Sequence, residues 1–346
     1  MRLSAASQLL LPKISPALPF SRGKLLLLIV GAGVTGKIIS EVLREHPDYQ
    51  LIGFVDDNPD LQGKTLNNVP ILGDRHILSS ELDHHHVDRI VVAITQPIDD
   101  ELLQLLTVCY ERGTEVTPMP VFYENLTGKI AVEHIGSQWY SALPLKKSAF
   151  DTFNRTVKRL FDIVIGLIIA AIFIIIFPLI AIAIELDSPG PIFYEQERVG
   201  QHGKKFTIYK LRSMVKNAEG DGAAQWSVKG DVRITRVGRF LRRTRLDEFP
   251  QILNVLHGEM SMVGPRPERQ EFIKVLQQQI PFYRTRLAVK PGITGWAQVN
   301  YRYGNTVQDA LIKLQYDLYY QKYCSPWLDL KILLRTFGVV LRMQGQ

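Results

Sequence analysis

The sequence predicts an α/β N-terminal domain built on a parallel sheet, then a membrane helix, then a mainly helical α+β domain. Three observations carry that prediction. Short apolar runs alternate with helix-length segments between Lys24 and Pro118, the pattern of β-α-β units. An uncharged stretch of 22 residues, Ile163 to Ile184, follows. Beyond it the chain is basic and punctuated by Gly and Pro. A length of 346 residues suits two domains rather than one. Residues 1–150 carry 13 Lys and Arg against 17 Asp and Glu, whereas residues 188–346 carry 25 against 13, a balance of +12. A basic half points to a polyanionic partner: nucleic acid, anionic lipid or a phosphorylated ligand. Cys109 and Cys324 have no metal-type spacing, which excludes a disulfide scaffold and fits a reducing compartment.

Residues 1–22, with Pro12, Pro16 and Pro19, are too broken for a signal-peptide core and read as a flexible leader. Residues 23–145 form the first domain. Lys24–Val30 is a buried strand, Gly31-Ala-Gly-Val-Thr-Gly36 a glycine turn, and Lys37–Glu45 a helix. Leu51–Val55 is the next strand and ends at Asp56-Asp57. Gly31, Gly33 and Gly36, with Asp56 about 20 positions beyond, match the dinucleotide-binding fingerprint of a Rossmann-like domain. The same glycines serve the tight turn and helix packing without a ligand. A bound nucleotide or nucleotide-sugar and a purely structural role therefore both stay open. Val69–Leu72 reads as an edge strand, Arg89–Ile94 as a buried strand, Glu101–Arg112 as a helix and Glu115–Pro118 as the last strand. Adjacent histidines point in different directions, so His84-His85-His86 is assigned no metal.

Residues 146–187 are a linker and a membrane helix. At ~1.5 Å per residue the run from Ile163 to Ile184 reaches ~33 Å, enough to cross a bilayer, and it is apolar on every face. Pro178 removes a backbone hydrogen bond and is expected to break the helix at Phe177-Pro178. Arg155, Lys158 and Arg159 precede the run and the basic half follows it. A helix that enters, breaks and returns keeps both positive flanks on the cytoplasmic side, and this re-entrant geometry is favoured over a plain span.

Residues 188–346 form the last domain. Phe193–Gly200 and Lys205–Arg212 read as a hairpin, Asn217–Asp231 as a polar loop. In Arg242-Arg-Thr-Arg-Leu-Asp-Glu-Phe-Pro-Gln-Ile-Leu-Asn254, Asp247 and Glu248 sit behind Arg242, Arg243 and Arg245. The apolar rhythm of Phe249, Ile252, Leu253 and Leu256 predicts a helix with Asp247 near its N-cap, Pro250 in its first turn and Gly258 as its stop. Free N–H groups there would keep Asp247 ionised and offer a phosphate site. Two Gly/Pro loops follow, Met262–Glu268 with Arg266, and Val289–Asn300 with Trp296 and Gln298.

These residues resemble the bacterial sugar transferases, the monotopic polyprenyl-phosphate sugar-1-phosphate (phosphoglycosyl) transferases. The shared motifs are Phe193–Gly200, Lys210-Leu-Arg-Ser-Met214, Leu246-Asp-Glu-Phe-Pro-Gln251, Gly264-Pro-Arg-Pro267 and Pro291–Val299. They lie in order and cover residues 155–346. The tail, Gln315–Tyr320 and Trp327–Leu334, is similar to the larger exopolysaccharide-assembly members, which carry a nucleotide-fold domain ahead of the catalytic part. Three features depart from the family. Larger members begin with several transmembrane helices and no run long enough for one precedes residue 163, so a shortened form with a cytoplasmic N-terminal domain is expected. Phe177-Pro178 stands where Ser-Pro is common, and Arg245 where a small polar residue is common.

The resemblance implies transfer of a sugar-1-phosphate from a UDP-sugar to undecaprenyl phosphate, with release of UMP. It implies Mg²⁺, a covalent phosphosugar intermediate on Asp247 and an inner-membrane site facing the cytoplasm. Asp247 and Glu248 are the expected catalytic pair and metal ligands. Arg242, Pro265, Arg266, Pro267, Trp296 and Gln298 are the expected substrate and phosphate contacts, the arginines because guanidinium groups grip phosphate in a two-point fork; Trp296 reads either as a uridine stacker or as a core residue. The acceptor's lipid tail places the site at the membrane surface. An amphipathic segment Trp327–Arg342, with Trp327, Leu328, Ile332, Leu333 and Phe337, would help hold it there. Asp317 reads as a partner for a surface Lys. A homodimer is expected and a nucleic-acid partner is not. Two rival classes remain: an NAD-dependent nucleotide-sugar oxidoreductase or epimerase using Gly31–Gly36, and a non-enzymatic membrane scaffold or nucleic-acid binder.

Overall fold

The computed structural model describes residues 23–84, 86–132, 149–216, 218, 231–301, 304 and 306–341. The leader, the linker at 146–148, His85 and most of the polar loop at 217–231 lie outside these residues. The chain divides into two compact units, residues 1–142 and 143–346.

The first unit contains strands β1 (Leu25–Val30), β2 (Tyr49–Val55), β3 (Thr65–Leu66), β4 (Val69–Gly73), β5 (Arg89–Val92) and β6 (Glu115–Pro118), with helices α1 (Val34–Leu43), α2 (Ile77–His84), α3 (Asp100–Glu111) and α4 (Met119–Thr127). Sheet order is β3-β4-β2-β1-β5-β6. All pairings are parallel except β3 with β4. Both faces are covered, which is why β1 reads as an unbroken apolar run. Leu27 and Ile29 face a core with Phe54, Ile39 and Phe122. Leu28 and Val30 face the opposite core with Leu78, Leu102 and Leu106. The expected strands and the two expected helices are present, whereas β3, α2 and α4 were not anticipated. Gly31 takes φ +108°, and a Cβ on Gly36 would lie 2.0 Å from the Gly31 carbonyl oxygen. Only glycine permits that strand-to-helix turn.

The second unit opens with one continuous helix, α5 (Ala149–Asp187). Strands β7 (Phe193–Val199) and β8 (Lys205–Leu211) form the expected antiparallel hairpin. Then come α6 (Arg236–Thr244), a 3₁₀ segment Leu246–Gln251, α7 (Ile252–His257), β9 (Ser261–Val263) and α8 (Gln270–Gln279). A second 3₁₀ turn, Tyr283–Ala288, leads to β10 (Gly292–Thr294), α9 (Trp296–Asn300), α10 (Val307–Tyr323) and α11 (Pro326–Leu341). β9 and β10 pair in parallel. Their close crossing leaves no room for side chains: a Cβ on Gly264 would meet the Lys290 carbonyl oxygen at 2.4 Å.

Among the described residues, Arg155–Asp187 is the one helix long and apolar enough to cross a membrane. Ile174, Ile175 and Leu179 are 70–76% exposed, so it is no buried core helix. It runs on through Pro178 as one helix rather than breaking at Phe177-Pro178. A missing N–H costs one hydrogen bond, and the packing of α5 against the domain spans the site of the loss. One stripe of α5 touches the domain along its length. Asp162 accepts from Ser261 Oγ and the Met262 N–H at 3.0 and 2.9 Å. Gly166 lies against Leu256. Phe177 stacks on Phe193 at 5.3 Å, and Asp187 accepts the Val237 N–H at 2.8 Å. At ~1.5 Å per residue the two aspartates lie ~38 Å apart along a straight helix axis, yet both are bonded into the same unit. The helix lies along its own domain instead of carrying one flank away from it.

Two of the flanking cations read as topology signals have structural partners. Lys158 donates to Asp329 at 2.6 Å, Tyr320 Oη at 3.0 Å and the Val263 carbonyl at 3.0 Å. Arg159 donates to the Val255 and Leu256 carbonyls at the end of α7, at 2.6 and 2.7 Å. Removing Lys158 strands the buried Asp329 carboxylate. The variant Lys158→Ala is expected to lose about 3–5 kcal/mol of stability, read as thermal unfolding in detergent. Lys158→Met combined with Asp329→Leu should recover most of it.

Candidate active site

The carboxylate pair sits between two elements that set its environment. α6 carries the Thr235 cap, whose hydroxyl accepts the Gly238 N–H at 3.0 Å. Gly238 presses on the Ser213 backbone, and Leu241 is buried beside α5. Arg245 ends α6 in the left-handed conformation, φ +58°. The chain then enters the 3₁₀ turn rather than the α-helical N-terminus expected, and Gly258 stops α7 as anticipated. Leu246 and Phe249 bracket the pair. Leu246 joins the cluster of Ile184, Phe173 and Phe177 on α5, and the Phe249 ring lies 6.1 Å from that of Phe173. Asp247 and Glu248 are therefore pinned against the apolar helix.

Glu248 is 5% exposed and held by three cations. Arg266 donates to its Oε1 at 2.7 Å, Lys210 to the same oxygen at 3.3 Å, and Arg245 to Oε2 at 3.4 Å. Burial pushes the Glu248 carboxyl up, but Arg266, Lys210 and Arg245 together outweigh it and hold it well below the usual carboxylate range. Asp247 differs. It is 8% exposed, and among the described residues it accepts no hydrogen bond and forms no ion pair within 4 Å. Burial first, then the Glu248 charge, push it up to about 6 against the pull of Lys210, Arg242 and Arg266. The expectation of a helix-capped, fully ionised Asp247 is corrected: the 3₁₀ turn gives its side chain no N–H to accept, and desolvation wins. Two adjacent carboxylates thus have opposite environments, a pattern associated with functional sites.

Lys210 and Ser213 were not singled out by the sequence, though both lie in the 210–214 motif. Lys210 shares one face of β8 with Phe206 and Ile208, and period two was the available signal. Burial lowers its pKa. Arg242 donates Nε to Ser213 Oγ at 2.8 Å. Pro265 and Pro267 are buried and shape the loop that delivers Arg266; the Pro265 carbonyl accepts the Gly292 N–H at 2.9 Å. Behind that loop, Arg286 donates to the Arg266 carbonyl at 3.0 Å and pairs with Asp317 at 2.8 Å. Asp317, 2% exposed, is a buried brace and not the surface partner expected.

Trp296 belongs to the core. It is 3% exposed, stacks on Tyr319 at 5.8 Å, and has Lys331 and Arg335 over its ring. Its ring is spoken for, so a base-stacking role is withdrawn. Gln298 donates to the Ile293 carbonyl at 3.0 Å, and its Oε1 is buried with no partner. In the tail helix α11, Leu328 and Ile332 face inward, while Trp327, Leu334 and Phe337 are 64–76% exposed. The inward pair is thereby removed from the expected membrane-facing set. In the first unit the Asp56 carboxylate accepts the Ala32 N–H at 2.7 Å and the Asn58 N–H at 2.9 Å. It steadies the glycine turn. No cluster of three or more metal-type ligands occurs among the described residues.

A family model described as bacterial sugar transferase matches residues 153–343, and one described as PglD N-terminal domain matches residues 26–98. The chain is similar to a UDP-N-acetylgalactosamine-undecaprenyl-phosphate N-acetylgalactosaminephosphotransferase of Aeromonas hydrophila, 36% identical over 94% of this chain and 74% of that protein. It is also similar to a UDP-glucose:undecaprenyl-phosphate glucose-1-phosphate transferase of Xanthomonas campestris pv. campestris, 35% identical over 89% of this chain and 64% of that protein. An undecaprenyl-phosphate galactose phosphotransferase of Salmonella typhimurium is 31% identical, over 92% of this chain and 68% of its own length.

The Asp247 shift has a stability consequence. A carboxyl raised from 3.8 to about 6 binds its proton more tightly in the folded state, so stability falls as pH rises from about 4 through 6. Asp247→Asn removes that loss. It should be more stable than wild type at pH 7.5 by at most roughly 2–3 kcal/mol, read as a higher unfolding temperature, with the difference vanishing towards pH 4.

Proposed function

The chain belongs to the bacterial sugar transferase family, and on that premise we propose that it transfers a sugar-1-phosphate from a UDP-sugar to undecaprenyl phosphate through an adduct on Asp247. The observation that carries this reading is the contrast within the pair: Glu248 bound by three cations, Asp247 buried and, among the described residues, without a hydrogen bond or ion pair. A carboxylate without hydrogen bonds is a stronger nucleophile than a solvated one, and a pKa near 6 leaves it ionised at neutral pH.

In the first step an Asp247 oxygen bonds to the phosphorus that bears the sugar, the P–O–P bridge breaks, and UMP leaves with the bridging oxygen. In the second, an oxygen of the polyprenyl phosphate bonds to the same phosphorus and releases the Asp247 carboxylate. Arg242, Arg266 and Lys210 are cations close enough to shift Asp247, and they would neutralise charge on the transferring phosphate. Glu248 positions Arg266, Lys210 and Arg245 rather than reacting. Magnesium ions are commonly held by one or two carboxylates together with substrate phosphates. Asp247 fits that donor role, whereas Glu248 would first have to release a cation. Mg²⁺ held there would supply charge neutralisation of the pyrophosphate.

The acceptor is a lipid, and Leu246 and Phe249 place the pair against α5. We place α5 and the outward stripe of α11 (Trp327, Leu334 and Phe337) in the cytoplasmic leaflet of the inner membrane, with both ends of α5 on one side. A nucleotide or nucleotide-sugar in the first domain would have to meet an Asp56 already engaged by Ala32.

The test is UMP release in detergent with undecaprenyl phosphate and a panel of UDP-sugars. Asp247→Asn should lose roughly 10³-fold or more, Glu248→Gln less, and chelation of Mg²⁺ should abolish turnover until the ion is restored. Undiminished release by Asp247→Asn would overturn the reading.

A further inference from the structure

The arginines of α6 divide into two sets. Arg242 turns inward to Ser213. Arg236, Arg239 and Arg243 are exposed, as is Phe240 at 53%. At ~100° per residue these four fall within an arc of about 100°, with Phe240 at one edge. The opposite face carries Val237 and Leu241, which pack against Phe173, Phe177, Ile180 and Ile184 of α5. α6 is thus laid along the apolar helix with a strip of three guanidinium groups turned outward. Arg239 and Arg243 have no ion-pair partner among the described residues, and Arg236 lies beside Asp187 at the end of α5. On α5, the outward residues Ile174, Ile175, Leu179 and Ile182 are 59–76% exposed. An apolar helix packed against a second helix that exposes three arginines and one aromatic ring is complementary to a bilayer surface that carries negative charge.

We propose that the outward face of α6 is a contact for anionic phospholipid headgroups, through Arg236, Arg239 and Arg243, with Phe240 inserted at headgroup depth. Each basic side chain near an anionic surface strengthens attachment roughly fivefold, so three together hold the helix firmly and a neutral surface does not. α6 runs through Arg245 directly into Asp247, so its attachment would also fix the height of the carboxylate pair above the lipid. The inference rests on the membrane placement of α5 proposed above, and its test separates the two.

A spin label at Phe240→Cys, in a Cys109→Ala/Cys324→Ser background of the full chain, reports depth through its relative accessibility to oxygen and to a water-soluble nickel chelate. A second label at Ile175→Cys reports α5. In nanodiscs of phosphatidylglycerol the 240 label should show a several-fold higher oxygen-to-nickel ratio than in phosphatidylcholine, and high salt should abolish the difference. Arg236→Gln/Arg239→Gln/Arg243→Gln should behave in either lipid as wild type does in phosphatidylcholine. The corresponding triple Lys variant should keep the response, since charge and not the guanidinium fork is what the surface reads. A 175 label in lipid with a 240 label indifferent to lipid charge would overturn the proposal alone. A 175 label in water would overturn the membrane placement as well. A 240 label that moves in neutral lipid only on addition of a polyprenyl phosphate would assign the arginines to the acceptor and overturn the headgroup reading.

Discussion

The site depends on one electrostatic arrangement: a buried glutamate that spends three cations on itself. Arg266, Lys210 and Arg245 converge on Glu248 from separate elements, namely the Pro265–Pro267 loop, strand β8 and the residue that ends α6. Their combined pull keeps Glu248 charged in a desolvated place. That fixed negative charge, with burial, is what raises Asp247. Were the cations to move to Asp247, the pair would exchange roles. On the proposed reading Glu248 organises a positive ring and is not a second reacting group. The brace continues outward, since Arg286 and Asp317 hold the backbone of Arg266. Arg245 departs from the small polar residue common in the family. Here it supplies the third cation, and it does so from a left-handed conformation that costs a non-glycine residue roughly 1 kcal/mol.

A second constraint is the attachment of α5 along the whole domain. Gly166 admits Leu256, Phe177 stacks on Phe193, and Asp162 and Asp187 are hydrogen-bonded into the same unit. Lys158 and Arg159, whose charges suggested topology, are committed to Asp329 and to the carbonyls that end α7. The proposal of same-side flanks therefore leans on packing more than on counting positive charges. The candidate active site inherits its position from this helix, because Leu246 and Phe249 bracket the carboxylates and rest on it.

Much of this was legible in the sequence where period and punctuation agree. The glycine turn, the central strands, the uncharged run and the β7–β8 hairpin all carry local signals strong enough to survive tertiary context. The residues that were missed lack such signals. α6 buries only Gly238 and Leu241, so its arginine-rich stretch has no apolar rhythm. β3 is two residues long, and β9 and β10 three each, too short for alternation to register. Lys210 is one inward position on a strand, and nothing local says that Glu248, 38 residues later, will face it. Asp247 was misjudged because a proline in the first turn fits both an α-helix and the 3₁₀ turn that forms, and only the former offers its carboxylate a cap. Trp296 carried an aromatic expectation that burial overrules.

The central claim is that the bare carboxylate of Asp247, and no other side chain, takes the phosphosugar. Intact-peptide mass spectrometry of enzyme mixed with UDP-sugar and Mg²⁺, without lipid acceptor and quenched in acid, tests it most directly. The account predicts one sugar-phosphate mass on the peptide containing Asp247, discharged when undecaprenyl phosphate is added before the quench. An unmodified Asp247 peptide in enzyme that still releases UMP, or the same mass on a different residue, would contradict it.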